Sequence, residues 1–220
     1  MKEPKKTKNP WPTKEAMNQV YAKNLWGGKS SEFYSGEGSH IHEIVTPYLE
    51  VVTSFLTSFD VPLTVCDLGC GDFNVGKELV KHTKKYIAVD IVTDLVERNK
   101  EKFKDENLEF QCLDIAVDYL PKGDCAIIRQ VLQHLSNAEV KAVLNKLSDF
   151  KYLILTEHLP IGNFTPNEDI ISGQGIRLKK GSGIAILSAP FHFKVQEEKE
   201  MLTILLKEQK GKLTTSLYTI

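Results

Sequence analysis

Residues Val61 to Gly76 read V-P-L-T-V-C-D-L-G-C-G-D-F-N-V-G, an apolar run followed by a glycine-spaced turn. The apolar residues up to Leu68 predict a strand that is buried on both faces, which is typical of a parallel sheet. Gly69 and Gly71 end this strand, because glycine allows a tight turn and a close approach of a ligand to the backbone. We expect a helix from Val75 to Thr83 to follow and to offer free N–H groups to a polar ligand.

The glycine spacing separates two kinds of nucleotide site. A dinucleotide fingerprint, G-x-G-x-x-G, requires glycine at the position that Asn74 occupies. Asp67 stands just before Gly69 at the carboxyl end of the strand, where it would repel a pyrophosphate and attract an amine-bearing or cationic ligand. The spacing therefore disfavours an NAD-dependent enzyme and favours a cationic cofactor.

The motif Val65-Cys66-Asp67-Leu68-Gly69-Cys70-Gly71 resembles the first motif of class I S-adenosylmethionine-dependent methyltransferases. That motif has two apolar residues, an acid and a further apolar residue before Gly-x-Gly-x-Gly, and Phe73 replaces the third glycine here. The resemblance covers nearly all of residues 41 to 220 and implies the small-molecule type of this superfamily. It implies a doubly wound α/β fold, in which a mostly parallel seven-stranded sheet with an antiparallel last strand carries helices on both faces.

The remaining elements follow from hydrophobic periodicity. Further strands are predicted at Tyr86–Asp90, Leu108–Ile115, Asp124–Arg129 and Lys151–Thr156, with a hairpin of Glu200–Lys207 and Lys212–Thr219 around Gln209 and Lys210. Helices are predicted from Pro12 to Tyr21, behind a Ser39 cap as far as Leu56, from Thr93 to Lys104, and behind a Ser136 capping box.

Acidic residues at strand ends mark the expected cofactor site. Asp90 ends the second strand, where a carboxylate can accept hydrogen bonds from both hydroxyls of a ribose. The resemblance implies that Asp114 meets the adenine amino group, although an Asp that caps a turn is an alternative. The predicted cofactor-binding residues are Asp67, Gly69, Cys70, Gly71, Asp90, Ile91, Asp114, Ile115 and Gln130.

Gln130 and His134 follow the fourth predicted strand and are the predicted catalytic residues. Because ligands of open α/β sheets bind at the carboxyl ends of the strands, we expect both side chains to face the transferred methyl. His134 is a candidate general base, with a packing role as the alternative. The predicted substrate-binding residues are Tyr34, His134, Glu157, His158 and Arg177.

Two segments outside the predicted sheet are candidates for covering the site. Residues 1–38 are predicted to form a tail and an N-terminal helical cap, in which the glycine-rich stretch near Tyr34 is either a lid or a turn anchored by Trp26. Residues 39–220 form the predicted methyltransferase domain. Within it, residues 159–190 are too long for an ordinary connection and predict a substrate-binding insertion, where Arg177 could bind an anionic group.

Composition limits the other functional classes. The 28 basic and 29 acidic residues give a formal charge of -1, which makes nucleic acid an unlikely partner. The 4 cysteines fall in or beside apolar runs, so we expect buried thiols in a reducing cytoplasm and no metal site. No secretory signal or membrane-spanning run is recognisable. The prediction is a cytoplasmic enzyme with a small-molecule acceptor, and the sequence does not determine its oligomeric state.

The expected reaction is methyl transfer to a small polar acceptor, with an oxygen on a carbohydrate or phosphorylated precursor as the first choice. A sulfonium methyl is already activated, so holding the reactants in line can supply most of the catalysis. No Asn-Pro-Pro-Tyr-like tetrapeptide follows the fourth strand, which argues against base- and glutamine-methylating members of the superfamily. An RNA or protein methyltransferase that uses the Lys-rich tail, and a protein that binds the cofactor without catalysis, remain as alternatives.

Overall fold

The computed structural model describes residues 11–28, 33–206 and 211–220. The tail predicted at the start of the chain, Met1 to Lys8, and the predicted turn residues Gln209 and Lys210 lie outside these ranges. The strands are β1 (Thr64–Leu68), β2 (Lys85–Asp90), β3 (Leu108–Cys112), β4 (Cys125–Arg129), β5 (Tyr152–Leu159), β6 (Glu197–Leu205) and β7 (Lys212–Thr219). The α-helices are α1 (Thr13–Ala22), α2 (His42–Leu56), α3 (Thr93–Lys102) and α4 (Asn137–Lys146).

The strands form one seven-stranded sheet in the order β3-β2-β1-β4-β5-β7-β6. Pairing is parallel from β3 across to β5, and β7 runs antiparallel to both β5 and β6. This arrangement confirms the predicted fold class. The strand order reverses between β1 and β4, and in open sheets such a switch point opens a crevice at the carboxyl ends of the strands.

Both faces of the sheet are covered, which explains the continuous apolar runs of the central strands. On one face, Tyr48 and Val52 of α2 pack with Val65 and Ile127 in a buried cluster. On the other face, α4 packs over a second cluster that includes Cys66 and Ile128. Among the described residues, no helix is both long and apolar enough to cross a membrane.

The helix starts show where local signals succeeded and failed. Ser136 caps α4 in the predicted capping box, because its side chain accepts from the Glu139 amide and Glu139 binds back. The predicted Ser39 cap is wrong, since Ile41 precedes α2 and no side chain caps that helix. Ser39 instead belongs to the short 3-10 turn Glu37–Ser39, and its hydroxyl accepts a hydrogen bond from Arg129.

Two other predictions are corrected. The expected helix from Val75 to Thr83 is a pair of 3-10 turns, Gly76–Glu78 and Val80–His82. The Phe73 ring fills the space beside Gly76. The chain reaches the start of β2 just after Lys84, whose N–H donates to the Leu63 carbonyl at 2.9 Å. Strand β5 also runs further than expected, because its ladder with β7 continues to Leu159.

Candidate functional site

A cavity of about 390 Å³ lies at the carboxyl ends of β1 to β4. The nine residues predicted to bind a cofactor all line it, although they come from four separate strand ends. His134 lines the same cavity. The predicted site residues brought together here are Asp67, Gly69, Cys70, Gly71, Asp90, Ile91, Asp114, Ile115, Gln130 and His134.

The glycine turn after β1 needs glycine for both its conformation and its packing. Gly69 and Gly71 have φ angles of 98° and 56°, in the left-handed region. A Cβ on Gly69 would lie 2.3 Å from Cγ2 of Val131, and one on Gly71 would lie 2.4 Å from Oγ of Ser35. Phe73, which replaces the third glycine of the motif, also has a positive φ of 63° and lies fully buried in an aromatic cluster. The third motif position therefore belongs to the core here.

Asp90 is fixed by backbone donors. Its Oδ2 accepts from the Gly71 N–H and its Oδ1 accepts from the Val92 N–H, each at 3.0 Å. Burial raises the pKa of Asp90, while these backbone hydrogen bonds oppose the shift. A carboxylate oxygen can accept more than one hydrogen bond, so Asp90 retains the capacity to accept ligand hydroxyls.

Around Asp67 the cavity has a polar recess, whose other members, Tyr48, Tyr86 and Arg129, were not predicted from the sequence. Tyr86 donates its hydroxyl proton to Oδ2 of Asp67 at 2.9 Å, and burial raises the pKa of Asp67 to about 7. The Arg129 guanidinium lies 4.8 Å from the Tyr48 ring centroid and donates to the Gly38 carbonyl. Tyr48 Oη and Arg129 Nε are buried without a hydrogen-bond partner among the described residues. The sequence pattern that could have identified Arg129 as a site residue is its position as a charged residue at the end of the apolar run of β4.

Asp114 caps a turn, the alternative that the sequence left open for it, and it does so at the cavity. Its Oδ1 accepts from the Ala116 N–H at 2.9 Å, and its own N–H donates to Asp118 at 2.8 Å. The residue therefore caps a turn and also lines the cavity. Such a turn fixes the carboxylate at the edge of the site.

The segment Ser35–Ser39 covers the glycine turn from the N-terminal side, and each of its residues lines the cavity. The Ser35 N–H donates to Oδ2 of Asp72 at 2.8 Å, and the Asp72 N–H donates to Oγ of Ser35 at 2.7 Å. Nε2 of His40 lies 2.6 Å from the same Asp72 oxygen. We call this group of Ser35, His40 and Asp72 the cap latch. It ties the N-terminal segment directly to the motif.

His134 lies in the 3-10 turn Leu132–His134. Its Nδ1 is 3.1 Å and 3.2 Å from the carbonyl oxygens of Gly173 and Gly175. Because carbonyls only accept, Nδ1 carries the proton, and Nε2 is left as an acceptor 3.3 Å from the Gln133 amide nitrogen. Burial lowers the pKa of His134 to about 4, so the ring is neutral near pH 7.

The end of the cavity near His134 has further walls that were not predicted as site residues. The Trp26 ring lies 5.1 Å from the His134 ring, and Met17 of α1 and Ile176 add apolar surface. Lys179 lines the cavity with an exposed side chain. Met17 and Tyr21, four residues apart on α1, were the periodic signal that this helix faces inward.

Four predicted substrate contacts do not line the cavity. Arg177 is 1% exposed and its guanidinium binds backbone carbonyls, so the prediction that it binds an anionic substrate group is wrong. Glu157 is 2% exposed and lies inside β5, as does His158, whose N–H donates to Gln133. The Tyr34 ring stacks on His40 at 4.3 Å and packs against Gly28 instead of facing the cavity.

Comparison with known proteins identifies what the chain is similar to. Residues 65–150 match the family model described as a methyltransferase domain. The N-methyltransferase NodS from Bradyrhizobium japonicum WM9, solved with S-adenosyl-L-homocysteine, has a TM-score of 0.68 at 11% identity, over 93% of this chain and 98% of that chain. No curated protein is significantly similar in sequence.

Two further solved structures share the fold. Magnesium protoporphyrin IX methyltransferase from Synechocystis PCC 6803, with bound SAM, has a TM-score of 0.58 at 16% identity, over 97% of this chain and 100% of that chain. The 1,6-didemethyltoxoflavin-N1-methyltransferase from Burkholderia thailandensis has a TM-score of 0.58 at 12% identity, over 97% of this chain and 92% of that chain. At these identities the likeness concerns the fold.

Proposed function

We propose that this chain, which has the fold of class I methyltransferases and matches a methyltransferase domain over residues 65–150, binds S-adenosylmethionine and methylates a small polar acceptor. The observation that carries the proposal is the distribution of charge along one cavity. Asp67 and Arg129 lie in its polar recess, Asp90 lies at the glycine turn, and Asp114 lies at a third strand end. This order matches an elongated ligand with an amino-acid end, a sugar and a base.

The polar recess fits the amino-acid end of such a cofactor. Tyr48 Oη and Arg129 Nε are buried donors without partners, and buried donors of this kind are rare unless a ligand or water satisfies them. A ligand carboxylate would accept from both, while Asp67 would accept from a ligand ammonium group. Asp90 would hold the ribose hydroxyls, and Asp114 with Ile115 would hold the adenine.

When bound, the cofactor supplies a methyl group that its sulfonium has already activated for transfer. The protein then has to bind and orient the acceptor, and to exclude water. The segment Ser35–Ser39 covers the glycine turn, and Trp26 and His134 form a further part of the cavity wall. Nε2 of the neutral His134 ring accepts from the Gln133 amide in the free protein, and an acceptor hydroxyl that displaces this contact would be oriented by Nε2 and could give it its proton as transfer proceeds.

For the acceptor we propose an oxygen on a carbohydrate or phosphorylated precursor. The Nε2 lone pair of His134 supports a hydroxyl, because this atom can accept a proton but cannot donate one. Lys179 supports an anionic substituent, since its exposed ammonium lines the cavity. Trp26 provides a flat surface against which a ring can pack.

The test begins with the cofactor. S-adenosylhomocysteine should raise the melting temperature by mass action, and NADH should not. Arg129→Met should remove most of this stabilisation, whereas Lys81→Met, a change of an exposed residue, should leave it intact. A shift with NADH alone would refute the cofactor assignment.

The acceptor class is tested by transfer of labelled methyl into cell extract that has been separated into metabolite, RNA and protein fractions. We expect label in the metabolite fraction. Label in RNA or protein would support the corresponding alternative class of methyltransferase. Cofactor binding without label in any fraction would identify a binding protein that does not catalyse methyl transfer.

A further inference from the structure

Arg177 is among the largest fully buried side chains of the described residues, with 1% of its surface exposed. Its Nη1 donates to the Leu132 carbonyl at 3.1 Å and lies 3.4 Å from that of Gln133. Its Nη2 donates to the Leu135 carbonyl and to Oδ1 of Asn137, each at 2.7 Å. The three carbonyls lie in or next to the turn that carries His134, and Asn137 begins α4 just beyond it.

A buried guanidinium is costly unless acceptors and counter-charge surround it. The acidic side chain nearest in charge terms is Glu157 of β5, which is 2% exposed and whose pKa burial raises to about 8, so backbone acceptors carry most of the compensation near pH 7. Its Oε1 accepts from the Leu132 N–H at 3.2 Å, so the acid and the base bind the amide and the carbonyl of the same residue. The backbone of the turn is thus held by two buried ionisable side chains from different parts of the chain.

The segment that carries Arg177 also holds the His134 ring. The carbonyl oxygens of Gly173 and Gly175 accept hydrogen bonds from Nδ1–H of His134, and the Gly173 N–H donates to the His134 carbonyl at 3.0 Å. Two residues further on, Arg177 fixes the turn itself. Ring and backbone are therefore both anchored to residues 173–177, within the long connection between β5 and β6.

We propose that Arg177 is a positioning residue, which fixes the 132–135 turn so that His134 keeps its proton on Nδ1 and keeps Nε2 as the acceptor at the cavity. The use of this acceptor in methyl transfer rests on the proposed function, but the tautomer itself does not. A guanidinium suits the task because its planar set of donors reaches several carbonyls at once. A lysine ammonium carries the same charge on one nitrogen and cannot donate to all of these carbonyls.

The experiment is ¹⁵N NMR of histidine-labelled protein, with the His134 signals assigned from a His134→Gln sample. The wild type should show one neutral tautomer with the proton on Nδ1. Arg177→Lys is the decisive variant, because it keeps the positive charge near His134 and removes only the geometry. We expect the Nδ1–H form to fall from nearly all to about half of the neutral population, because ring nitrogens released from fixed partners interconvert.

Lys180→Met is the matched control, because Lys180 lies on the same 3-10 turn with an exposed side chain. Val143→Ala removes buried volume from α4 and controls for destabilisation alone. Both should keep the wild-type tautomer. If Arg177→Lys does not fold, the double variant Arg177→Met/Glu157→Gln is read in its place, since replacing both members of a buried pair is tolerated better than removing one. The pKa of His134 would also change in this variant because a nearby charge is lost, so only the tautomer of His134 is compared.

A folded Arg177 variant that retains a single Nδ1–H tautomer would overturn the proposal. A mixed tautomer in Val143→Ala would overturn it as well, because general loosening would then suffice. Calorimetry with S-adenosylhomocysteine separates this result from the proposed function. Absence of binding by the wild type would refute the cofactor assignment while leaving the tautomer result readable.

Discussion

The carboxylate of Asp90 accepts a hydrogen bond from the Gly71 N–H at 3.0 Å, which joins the end of β2 to the glycine turn after β1. Asp90, which is expected to bind a ribose, therefore also stabilises the glycine turn. A substitution at Asp90 has two effects, one on the ligand and one on the turn. Asparagine separates them better than alanine, because it keeps the size of the side chain and one acceptor oxygen.

We predict that Asp90→Asn weakens S-adenosylhomocysteine binding by about 10- to 100-fold, or about 1–3 kcal/mol, since charge-assisted hydrogen bonds to hydroxyls are lost. Isothermal calorimetry measures the dissociation constant. Asp94→Asn, in the exposed first turn of α3, should bind like the wild type. An unchanged constant for Asp90→Asn would remove this acid from the ligand site.

The second prediction concerns Glu157, whose pKa burial raises to about 8. An unfolded Glu titrates near about 4.3, so between these values the folded state binds more protons than the unfolded state. The free energy of unfolding therefore falls as the pH rises through this window, by an amount on the order of a few kcal/mol. Glu157→Gln should match the wild type at pH about 5 and exceed its stability at pH about 9.

Urea unfolding at both pH values measures this difference. The exposed Glu168→Gln change serves as the control and should follow the wild-type dependence on pH. If the free energies of unfolding of the wild type and Glu157→Gln change equally with pH, the buried carboxyl does not titrate in this window.

The third prediction concerns His134. Because burial lowers its pKa to about 4, we expect no inflection from this residue in kcat/KM near the ordinary histidine value of about 6.5. His134→Ala should slow methyl transfer by about 100-fold, the usual size of a general-base effect, with little change in S-adenosylhomocysteine affinity. Rates are measured with the acceptor found by methyl labelling. A stable, fully active His134→Ala enzyme would leave orientation of the reactants as the whole mechanism.

The fourth prediction uses the close contact between Gly38 and Gln130. A Cβ on Gly38 would lie 2.4 Å from Nε2 of Gln130, so the flexible amide has to move out of its place. Gly38→Ala should weaken S-adenosylhomocysteine binding, and this loss should vanish in a Gln130→Ala background. The two changes should couple by about 1 kcal/mol in a double-mutant cycle. Additive losses would mean that Gly38 acts through the cap and not through Gln130.

Much of the cofactor end could be predicted because its signals are local. Asp67, Asp90 and Asp114 each follow an apolar run, and parallel strands bring their carboxyl ends to one edge of the sheet. Tyr48 and Arg129 escaped prediction because their meeting depends on how α2 packs over β4. Neither residue carries a spacing signal that relates it to the other.

The burial of Arg177 could not be predicted from its neighbours in the sequence. Its sequence neighbours Lys179 and Lys180 are exposed cations, so the basic run suggested a solvated or ligand-facing side chain. Its burial depends on carbonyls such as that of Leu135, which is 42 residues earlier in the chain. Free backbone acceptors in a short turn leave no trace in residue identities, and only the folded chain reveals them.

The cap latch has a kinetic consequence. Ser35 and Asp72 exchange hydrogen bonds across the glycine turn, and the segment that they tether walls the cavity along its length. We expect the residence time of a ligand bound beneath this segment to depend on the opening of the cap as well as on its own affinity. Spent cofactor and fresh cofactor must both pass this barrier once in every catalytic cycle. The latch is therefore positioned to set the turnover rate even when the methyl transfer itself is fast.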